Sequence, residues 1–110
     1  MSQIENVSAT EAIELAKGES WLVDVRESDE WEAGHAEGAY SLPMSQLTER
    51  IGELPKDATL LVICHSGGRS ARVTETLSAA GYNAINVLGG TMGWQSAGGV
   101  VVADGPAPRP

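Results

Sequence analysis

Short apolar runs alternate along this chain with longer stretches in which apolar residues recur every three or four positions. The runs are too short to be helices, and they predict buried strands at residues 21–25, 39–42, 60–63 and 84–88. The longer stretches predict amphipathic helices after Ser8, after Ser45 and at residues 70–80, with single helical turns at 29–33 and 92–97.

Residues that favour helix ends support these boundaries. Ser8 and Glu11 have the spacing of a capping box at the start of the first helix. Ser28 is predicted to cap the acidic turn that follows the first strand. Gly18 and Gly81 are predicted to end the helices that precede them, because glycine adopts the left-handed conformation at little cost.

The alternation of strands and helices predicts an α/β fold with a central parallel β-sheet flanked by helices on both faces. A chain of 110 residues fits a single domain with one core. Ligands of such sheets bind at the carboxyl ends of the strands. Residues 24–26, Cys64 and residues 89–90 each follow a predicted strand, so we expect them to meet at that edge.

The segment after the third strand carries the only cysteine of the chain, Cys64, and leads into a helix that begins near Arg69. Gly67 and Gly68 are predicted to adopt positive φ and turn backbone N–H groups inward. The start of the helix adds unpaired N–H groups and the positive end of its dipole. These groups favour the thiolate, which is the nucleophile, and together with Arg69 would hold an anionic substrate.

The spacing within this loop separates two kinds of chemistry. Loops of the tyrosine-phosphatase type place five residues between cysteine and arginine, usually with a histidine before the cysteine. Here four residues separate Cys64 from Arg69, and Ile63 precedes the cysteine. The shorter ring suits sulfur chemistry better than attack on phosphorus, so an arsenate or phosphate enzyme is the disfavoured alternative.

The loop is one of several motifs that together resemble the rhodanese (sulfurtransferase) homology domain. The resemblance extends from about Ser8 to Val101, and the ordered set of motifs makes it specific. The motifs are Asp24-Val25-Arg26-Glu27, the run from Trp31 to Ala39, Leu42-Pro43, the loop from Cys64 to Ser70, and Gly89-Gly90 followed by Trp94. We therefore expect one rhodanese-like domain at residues 1–102 and a disordered, proline-rich tail at residues 103–110.

The resemblance implies that the protein is a sulfurtransferase with Cys64 as its catalytic residue. The cysteine would take the outer sulfur of a small anionic donor such as thiosulfate, carry it as a persulfide, and pass it to a small-molecule or protein thiol, or to cyanide. This is covalent catalysis, for which ping-pong kinetics are expected and no cofactor or metal is required. The rest of the loop would bind substrate, and its serine hydroxyls either donate to the persulfide or satisfy the turn; its residues are His65, Ser66, Gly67, Gly68, Arg69 and Ser70.

Two departures from the family pattern concern the rim of the predicted pocket. Gly93 stands where alanine is common, and residues 95–100 lack the proline that often occurs there. These two departures leave the shape of the substrate undetermined, but they do not change the chemistry expected of Cys64.

Three residues near the predicted site keep more than one interpretation. Arg69 is expected to orient the loop through a carboxylate, with Asp24 as one candidate, and to contact the anion weakly. His65 either touches the substrate or, when protonated, tunes the thiolate. Trp94 either borders the pocket or packs in the core.

Three further residues of the motifs are interpreted as structural. Arg26 is expected to form an ion pair with Glu27 or Glu30 rather than to bind substrate. His35 is expected to serve packing and hydrogen bonding, and Trp31 to lie in the core.

Two functions besides turnover of a small donor remain open. One is a carrier that moves sulfur from protein to protein. The other is a non-catalytic interaction or regulatory domain of the same fold, which the intact Cys64 and Arg69 disfavour.

The distribution of charge supports an anion site in the loop. The formal net charge is −8, which argues against a nucleic-acid partner. Residues 1–57 contain 13 acidic and four basic side chains, whereas residues 58–74 contain no acidic one. An acidic chain that keeps carboxylates off one segment is expected to use that segment for an anion.

The remaining composition sets the expected environment. No run of the sequence is long and apolar enough for a membrane span, and the first residues lack the features of a signal peptide. One cysteine excludes an internal disulfide, and with two histidines it offers too few ligands for a zinc site. A working thiol suits a reducing compartment, so a cytoplasmic protein that binds no membrane is predicted.

Overall fold

The structure is a computed structural model, and it describes residues 4–103. Five of the strands in this range form a parallel sheet with the order β1-β6-β5-β2-β4, and the other two form a separate antiparallel pair, β3 with β7. The strands are β1 (Glu5–Val7), β2 (Trp21–Asp24), β3 (His35–Ala36), β4 (Tyr40–Ser41), β5 (Thr59–Ile63), β6 (Asn83–Val87) and β7 (Val101–Val102).

The connections between the parallel strands are mostly helical. The helices are α1 (Ala9–Ala16), α2 (Ser28–Ala33), α3 (Leu47–Arg50), α4 (Gly68–Ala79) and α5 (Gly90–Ser96), with 3₁₀ turns at Met44–Gln46 and Ile51–Glu53 on either side of α3. Within the described range, none of these helices has the length and apolar character needed to cross a bilayer.

Alternate residues of the central strands supply two cores, one on each face of the sheet. On one face, Leu61 and Ile63 of β5 pack in a cluster with residues of α1, α2 and α5. On the other face, Leu60 and Val62 of the same strand pack in a cluster with α4 and the segment around α3. Burial on both faces explains why these strands have nearly continuous apolar sequences. The predicted α/β fold with helices on both faces is therefore confirmed.

Strands β1, β3 and β7 were not expected from the sequence. They are two or three residues long, so they contain too few positions to show a period of two. Each exists because a partner strand supplies the hydrogen bonds: β1 lies beside β6, and β3 pairs with β7 across about 65 residues of chain.

The helix boundaries differ from expectation at three places. The single helix predicted from Ser45 consists of α3 and its two flanking 3₁₀ turns, since short helices often tighten at their ends. The N-cap of α2 is Glu27 rather than Ser28, and it forms a capping box with Glu30. Helix α1 ends at Ala16 with Lys17 as its C-cap, and Gly18 follows the cap as predicted but without the left-handed conformation expected of it.

Other predicted boundaries are confirmed. Ser8 caps α1 by accepting a hydrogen bond from the Glu11 N–H at 3.1 Å. Gly81 follows α4 with a φ of 95°, the left-handed conformation that favours glycine. The predicted tail lies outside the described residues, except for residue 103.

Candidate active site

Strand β5 carries Cys64 to the carboxyl edge of the sheet. Leu60 and Val62 face α4, and because side chains alternate along a strand, Cys64 faces the same way. The residue is only 1% exposed. The strand thus delivers a buried thiol to the start of α4.

The loop after β5 turns its backbone toward this thiol. The N–H of Gly67 donates a hydrogen bond to the Cys64 sulfur at 3.1 Å, and Gly67 has a φ of 117° that favours glycine. The positive φ predicted for Gly68 is wrong, because that residue is already the first of α4. Gly67 alone is enough to turn the backbone N–H groups of the loop toward the sulfur, because the start of the helix supplies further free N–H groups.

Burial and hydrogen bonding act on the Cys64 thiol in opposite directions. Burial alone would raise its pKa, because it disfavours the charged form. The Ser70 hydroxyl and the backbone N–H groups of Ser70, Gly67 and Ser66 outweigh that effect, so the pKa of Cys64 lies below its usual range. The geometry therefore favours the thiolate.

Ser70 connects the thiol to a residue that the sequence analysis did not single out. The Cys64 S–H donates to the Ser70 oxygen at 3.3 Å, and the Ser70 hydroxyl donates to the side-chain oxygen of Asn86 at 2.6 Å. Asn86 lies in β6 opposite Val62, so its side chain shares the face of the sheet on which Cys64 lies. The sequence did contain a sign of this role, because Asn86 is the one polar residue in the apolar run at residues 84–88.

Arg69 does not bind Asp24, the carboxylate considered from the sequence. Its two terminal nitrogens donate to the two oxygens of Glu30 on α2, at 2.6 and 2.8 Å. The bond from Arg69 lowers the pKa of Glu30 to about 2. Arg69 therefore ties α4 to α2, and its charge is balanced by a carboxylate before any substrate arrives.

Arg26 is also paired differently from expectation, although its structural role stands. It binds Asp24 rather than Glu27 or Glu30, with Nη2 at 2.8 Å from the carboxylate, and it also donates to the Gly34 carbonyl at 2.6 Å. Asp24 and Arg26 lie two residues apart at the end of β2 and are both buried, so their side chains meet on one face.

Helix α5 supports the loop from the other side. The Thr91 N–H donates to the Cys64 carbonyl at 2.8 Å, and the Met92 N–H donates to the His65 carbonyl at 3.3 Å. This approach requires Gly90, because a Cβ there would overlap both carbonyls and the φ of 59° is left-handed. The Gly89-Gly90 pair, predicted only as a turn, thus brings the start of α5 against the cysteine loop.

The outer half of the loop is open to solvent. His65 and Ser66 are exposed. His65 borders a shallow cavity of about 190 Å³ at the carboxyl edge of the sheet. The other residues that line this cavity are Arg26, Glu30, Ala33, Gly34, Thr91, Met92, Gln95 and Val101.

The other aromatic and histidine residues of the motifs are His35, Trp31 and Trp94, and all three have structural roles. This was expected for His35 and Trp31. The His35 ring stacks on Trp31 with centroids 3.5 Å apart, and its Nδ1 lies 2.8 Å from the Trp31 carbonyl. Trp94 is 4% exposed and packs in the core, where its indole N–H donates to the Val100 carbonyl at 3.1 Å. Core packing is therefore the correct one of its two interpretations.

The parallel β-sheet places a cysteine at the start of a helix. The protein is therefore a small α/β domain with a candidate thiol nucleophile. The chain belongs to the rhodanese family, since the family model described as a rhodanese-like domain matches residues 8–97.

Curated relatives support this membership. The chain is 36% identical over 95 residues to "Putative sulfurtransferase YtwF" of Bacillus subtilis, covering 86% of this chain and 91% of the relative. It is 28% identical over 99 residues to "Thiosulfate sulfurtransferase GlpE" of Shewanella oneidensis, covering 88% and 98%. It is 35% identical over 74 residues to "Putative sulfur carrier protein YrkF" of Bacillus subtilis, covering 66% of this chain and only 40% of that protein.

A solved structure gives the same assignment. The rhodanese-related protein of Thermoplasma volcanium superimposes with a TM-score of 0.85 at 34% identity, covering 91% of this chain and 99% of that chain. Two of the curated relatives above are themselves named as sulfurtransferases.

Proposed function

We propose that this protein is a sulfurtransferase of the rhodanese type that carries sulfane sulfur as a persulfide on Cys64. The observation that carries the proposal is the environment of the Cys64 sulfur, which lies buried at 3.1 Å from the Gly67 N–H and 3.3 Å from the Ser70 oxygen. The negative charge of a persulfide lies mainly on its outer sulfur, one S–S bond beyond the Cys64 sulfur, and the N–H groups of the loop and of the first turn of α4 are the donors proposed to stabilise it there. Residues 65–70 are the proposed substrate-binding loop.

In the first half-reaction, the Cys64 thiolate attacks the outer sulfur of the donor. A bond forms between the two sulfur atoms, and the bond from the outer sulfur to the rest of the donor breaks with its electron pair. With thiosulfate the leaving group is sulfite; with a persulfide it is a thiolate. The products are the Cys64 persulfide and the leaving group, with no net oxidation and no cofactor in the step.

In the second half-reaction, an acceptor thiolate or cyanide attacks the outer sulfur of the persulfide. The Cys64 thiolate is the leaving group, and the lowered pKa of Cys64 makes it a better one. The reaction needs a reduced cysteine, which supports a reducing compartment such as the cytoplasm.

The pairing of Arg69 favours a second candidate, transfer of sulfur from one protein to another. Arg69 is bound to Glu30 and Arg26 to Asp24, so each guanidinium at this edge already faces a carboxylate. Thiosulfate is a dianion whose charge lies next to the sulfur under attack, and it gains little from neutralised arginines. A protein persulfide brings less charge to the site and draws affinity from the rest of its surface.

The test is intact-mass analysis of the reduced protein before and after thiosulfate, with Cys64→Ser treated in parallel. We expect the wild-type chain to gain the mass of one sulfur atom and to lose it again with cyanide or a thiol, while the serine variant gains none. This first prediction follows because serine cannot form the persulfide.

Other outcomes distinguish the alternatives. A sulfur gained from a cysteine desulfurase but not from thiosulfate would favour the carrier function. Hydrolysis of an aryl phosphate would instead support a phosphate enzyme. A folded protein with reduced Cys64 that gains no sulfur from any donor would contradict the proposal and leave a binding module.

A further inference from the structure

A row of hydrogen bonds leads from the Cys64 sulfur across the sheet to its edge strand β1. The Cys64 S–H donates to Ser70 at 3.3 Å, and the Ser70 hydroxyl donates to the oxygen of Asn86 at 2.6 Å. The Asn86 amide nitrogen then donates to the side-chain oxygen of Asn6 at 3.0 Å. Asn6 and Asn86 are register partners in neighbouring strands, so all the side chains of this row lie on the α4 face.

The inner members of the row are buried and its outer end is exposed. Ser70 is 0% exposed and Asn86 is 3% exposed, so the amide of Asn86 must satisfy its oxygen and its nitrogen inside the protein. Asn6 lies at the surface, where water can satisfy either end of its amide. The outer residue can therefore reverse its amide at little cost.

The bond from the Cys64 S–H to Ser70 belongs to the protonated thiol, whereas the thiolate that the site favours needs the Ser70 hydroxyl as its donor. When Cys64 loses its proton, the sulfur becomes an acceptor, but the Ser70 hydroxyl has only one proton to give. Two acceptors compete with the sulfur for it, the Asn86 oxygen at 2.6 Å and the Gly67 carbonyl at 3.2 Å. If the Asn86 amide turns over, its nitrogen donates to Ser70 and leaves the hydroxyl proton free for the sulfur. Asn6 then supplies a donor to the Asn86 oxygen by turning over as well.

We propose that Asn86 and Asn6 are positioning residues for Cys64, which reverse the direction of the hydrogen-bond row when the sulfur becomes an anion so that Ser70 donates to it. This role goes beyond the function proposed above, because it concerns every use of Cys64 as a nucleophile and not sulfur transfer alone.

The test is a substitution at the exposed end, Asn6→Asp, far from the loop in sequence. An ionised aspartate only accepts hydrogen bonds, so it holds the Asn86 nitrogen toward itself and the Asn86 oxygen toward Ser70. The Ser70 proton is then held away from the sulfur, and the thiolate loses a donor. We expect the midpoint of the pH profile for alkylation of Cys64 by iodoacetamide to rise by about one unit, the size of one hydrogen bond to an anion.

Two matched variants separate this effect from the added charge. Asn83→Asp makes the same exchange on β6, at an exposed position three residues (about 10 Å) before Asn86, and should leave the profile unchanged. In a Ser70→Ala background the row is interrupted, so Asn6→Asp should have no effect, whereas a purely coulombic effect would persist. The charged groups near the loop are the same in every variant: Asp24, Arg26, Glu30, His65 and Arg69.

The result that supports the proposal is a rise with Asn6→Asp that is absent both with Asn83→Asp and in the Ser70→Ala background. An unchanged profile, or an equal rise in the Ser70→Ala background, would overturn it. Alkylation requires no sulfur donor, so this result stands or falls independently of the sulfur-transfer assay.

Discussion

At the scale of single residues, Gly90 has the most sharply defined role, because its lack of a side chain lets α5 hold the cysteine loop. The φ of 59° and the contact with the carbonyls of Cys64 and His65 each disfavour any other residue. The Thr91 hydroxyl adds a bond to the Cys64 carbonyl at 3.2 Å, so that oxygen accepts two hydrogen bonds from Thr91. The carbonyls of the loop therefore point toward α5, which leaves the N–H groups that follow free to face the sulfur.

Replacement of Gly90 by alanine should destabilise the protein by on the order of 3 kcal/mol, because the methyl group overlaps backbone atoms that cannot move without displacing the loop. Gly38→Ala is the matched control, since Gly38 also has a positive φ, 86°, but has open space around its Cβ position. The control should cost only about 1–2 kcal/mol for the left-handed conformation. Urea unfolding of the two variants measures the difference, and equal losses would show that the contact with the loop is not tight.

At the scale of elements, the bond between Glu30 and Arg69 fastens α2 to the first turn of α4. The pair is bidentate and about one-third exposed, at 2.6 and 2.8 Å. Glu30 also accepts the Glu27 N–H that closes the capping box of α2. One carboxylate therefore sets both the start of α2 and the position of the loop-ending arginine.

This pair should make stability depend on acidic pH. The pKa of Glu30 is about 2 in the folded protein and near 4.5 without its partner, so the unfolded chain takes up the proton first as the pH falls. The contribution of the pair is present above about pH 4.5 and is lost toward pH 2. Because solvent screens a partly exposed pair, Glu30→Gln should cost about 1 kcal/mol at pH 7 and almost nothing near pH 2.

The control for this experiment is Glu32→Gln, an exposed carboxylate on the same helix. Denaturant unfolding of both variants and the wild type from pH 7 to pH 2 measures the effect. A deficit of Glu30→Gln that stays constant over this range would show that the ion pair is not its cause.

At the scale of the whole molecule, the two-stranded pair of β3 and β7 joins the end of the described chain to its first half. The Val100 carbonyl accepts both the Glu37 N–H at 2.9 Å and the Trp94 indole N–H at 3.1 Å. These bonds close a second, smaller sheet over the side of the core that contains Trp94.

Truncation tests the extent of the domain. A chain that ends at residue 103 keeps every contact described here, so we expect its urea-unfolding midpoint to match that of the whole chain. A chain that ends at residue 99 loses β7 and the Val100 carbonyl, which should cost on the order of 2 kcal/mol for two unsatisfied donors. Equal midpoints for both truncated chains would show that β7 contributes nothing to stability, whereas a loss on removing only residues 104–110 would contradict the predicted tail.

The sequence by itself determined the α/β class, four of the five strands of the main sheet, and helix α4. It also determined that the loop containing Cys64 lies between a strand and that helix. These features depend on neighbouring residues, since apolar periodicity, capping residues and the spacing from Cys64 to Arg69 are local properties. The predicted sites in residues 64–70 also lie in one short segment, which is why their approach to one another needed no tertiary information.

Only the tertiary structure decided the partners of the charged and polar groups. Arg69 binds a carboxylate 39 residues away, and Asn86 bonds to Asn6 across 80 residues, distances over which no periodic pattern carries information. Arg26, in contrast, binds a carboxylate only two residues away. Both Arg26 and Asp24 are buried at the end of β2, so Asp24 is the carboxylate within reach. Which charges meet is set by the order of strands in the sheet, and that order follows from the packing of the whole chain.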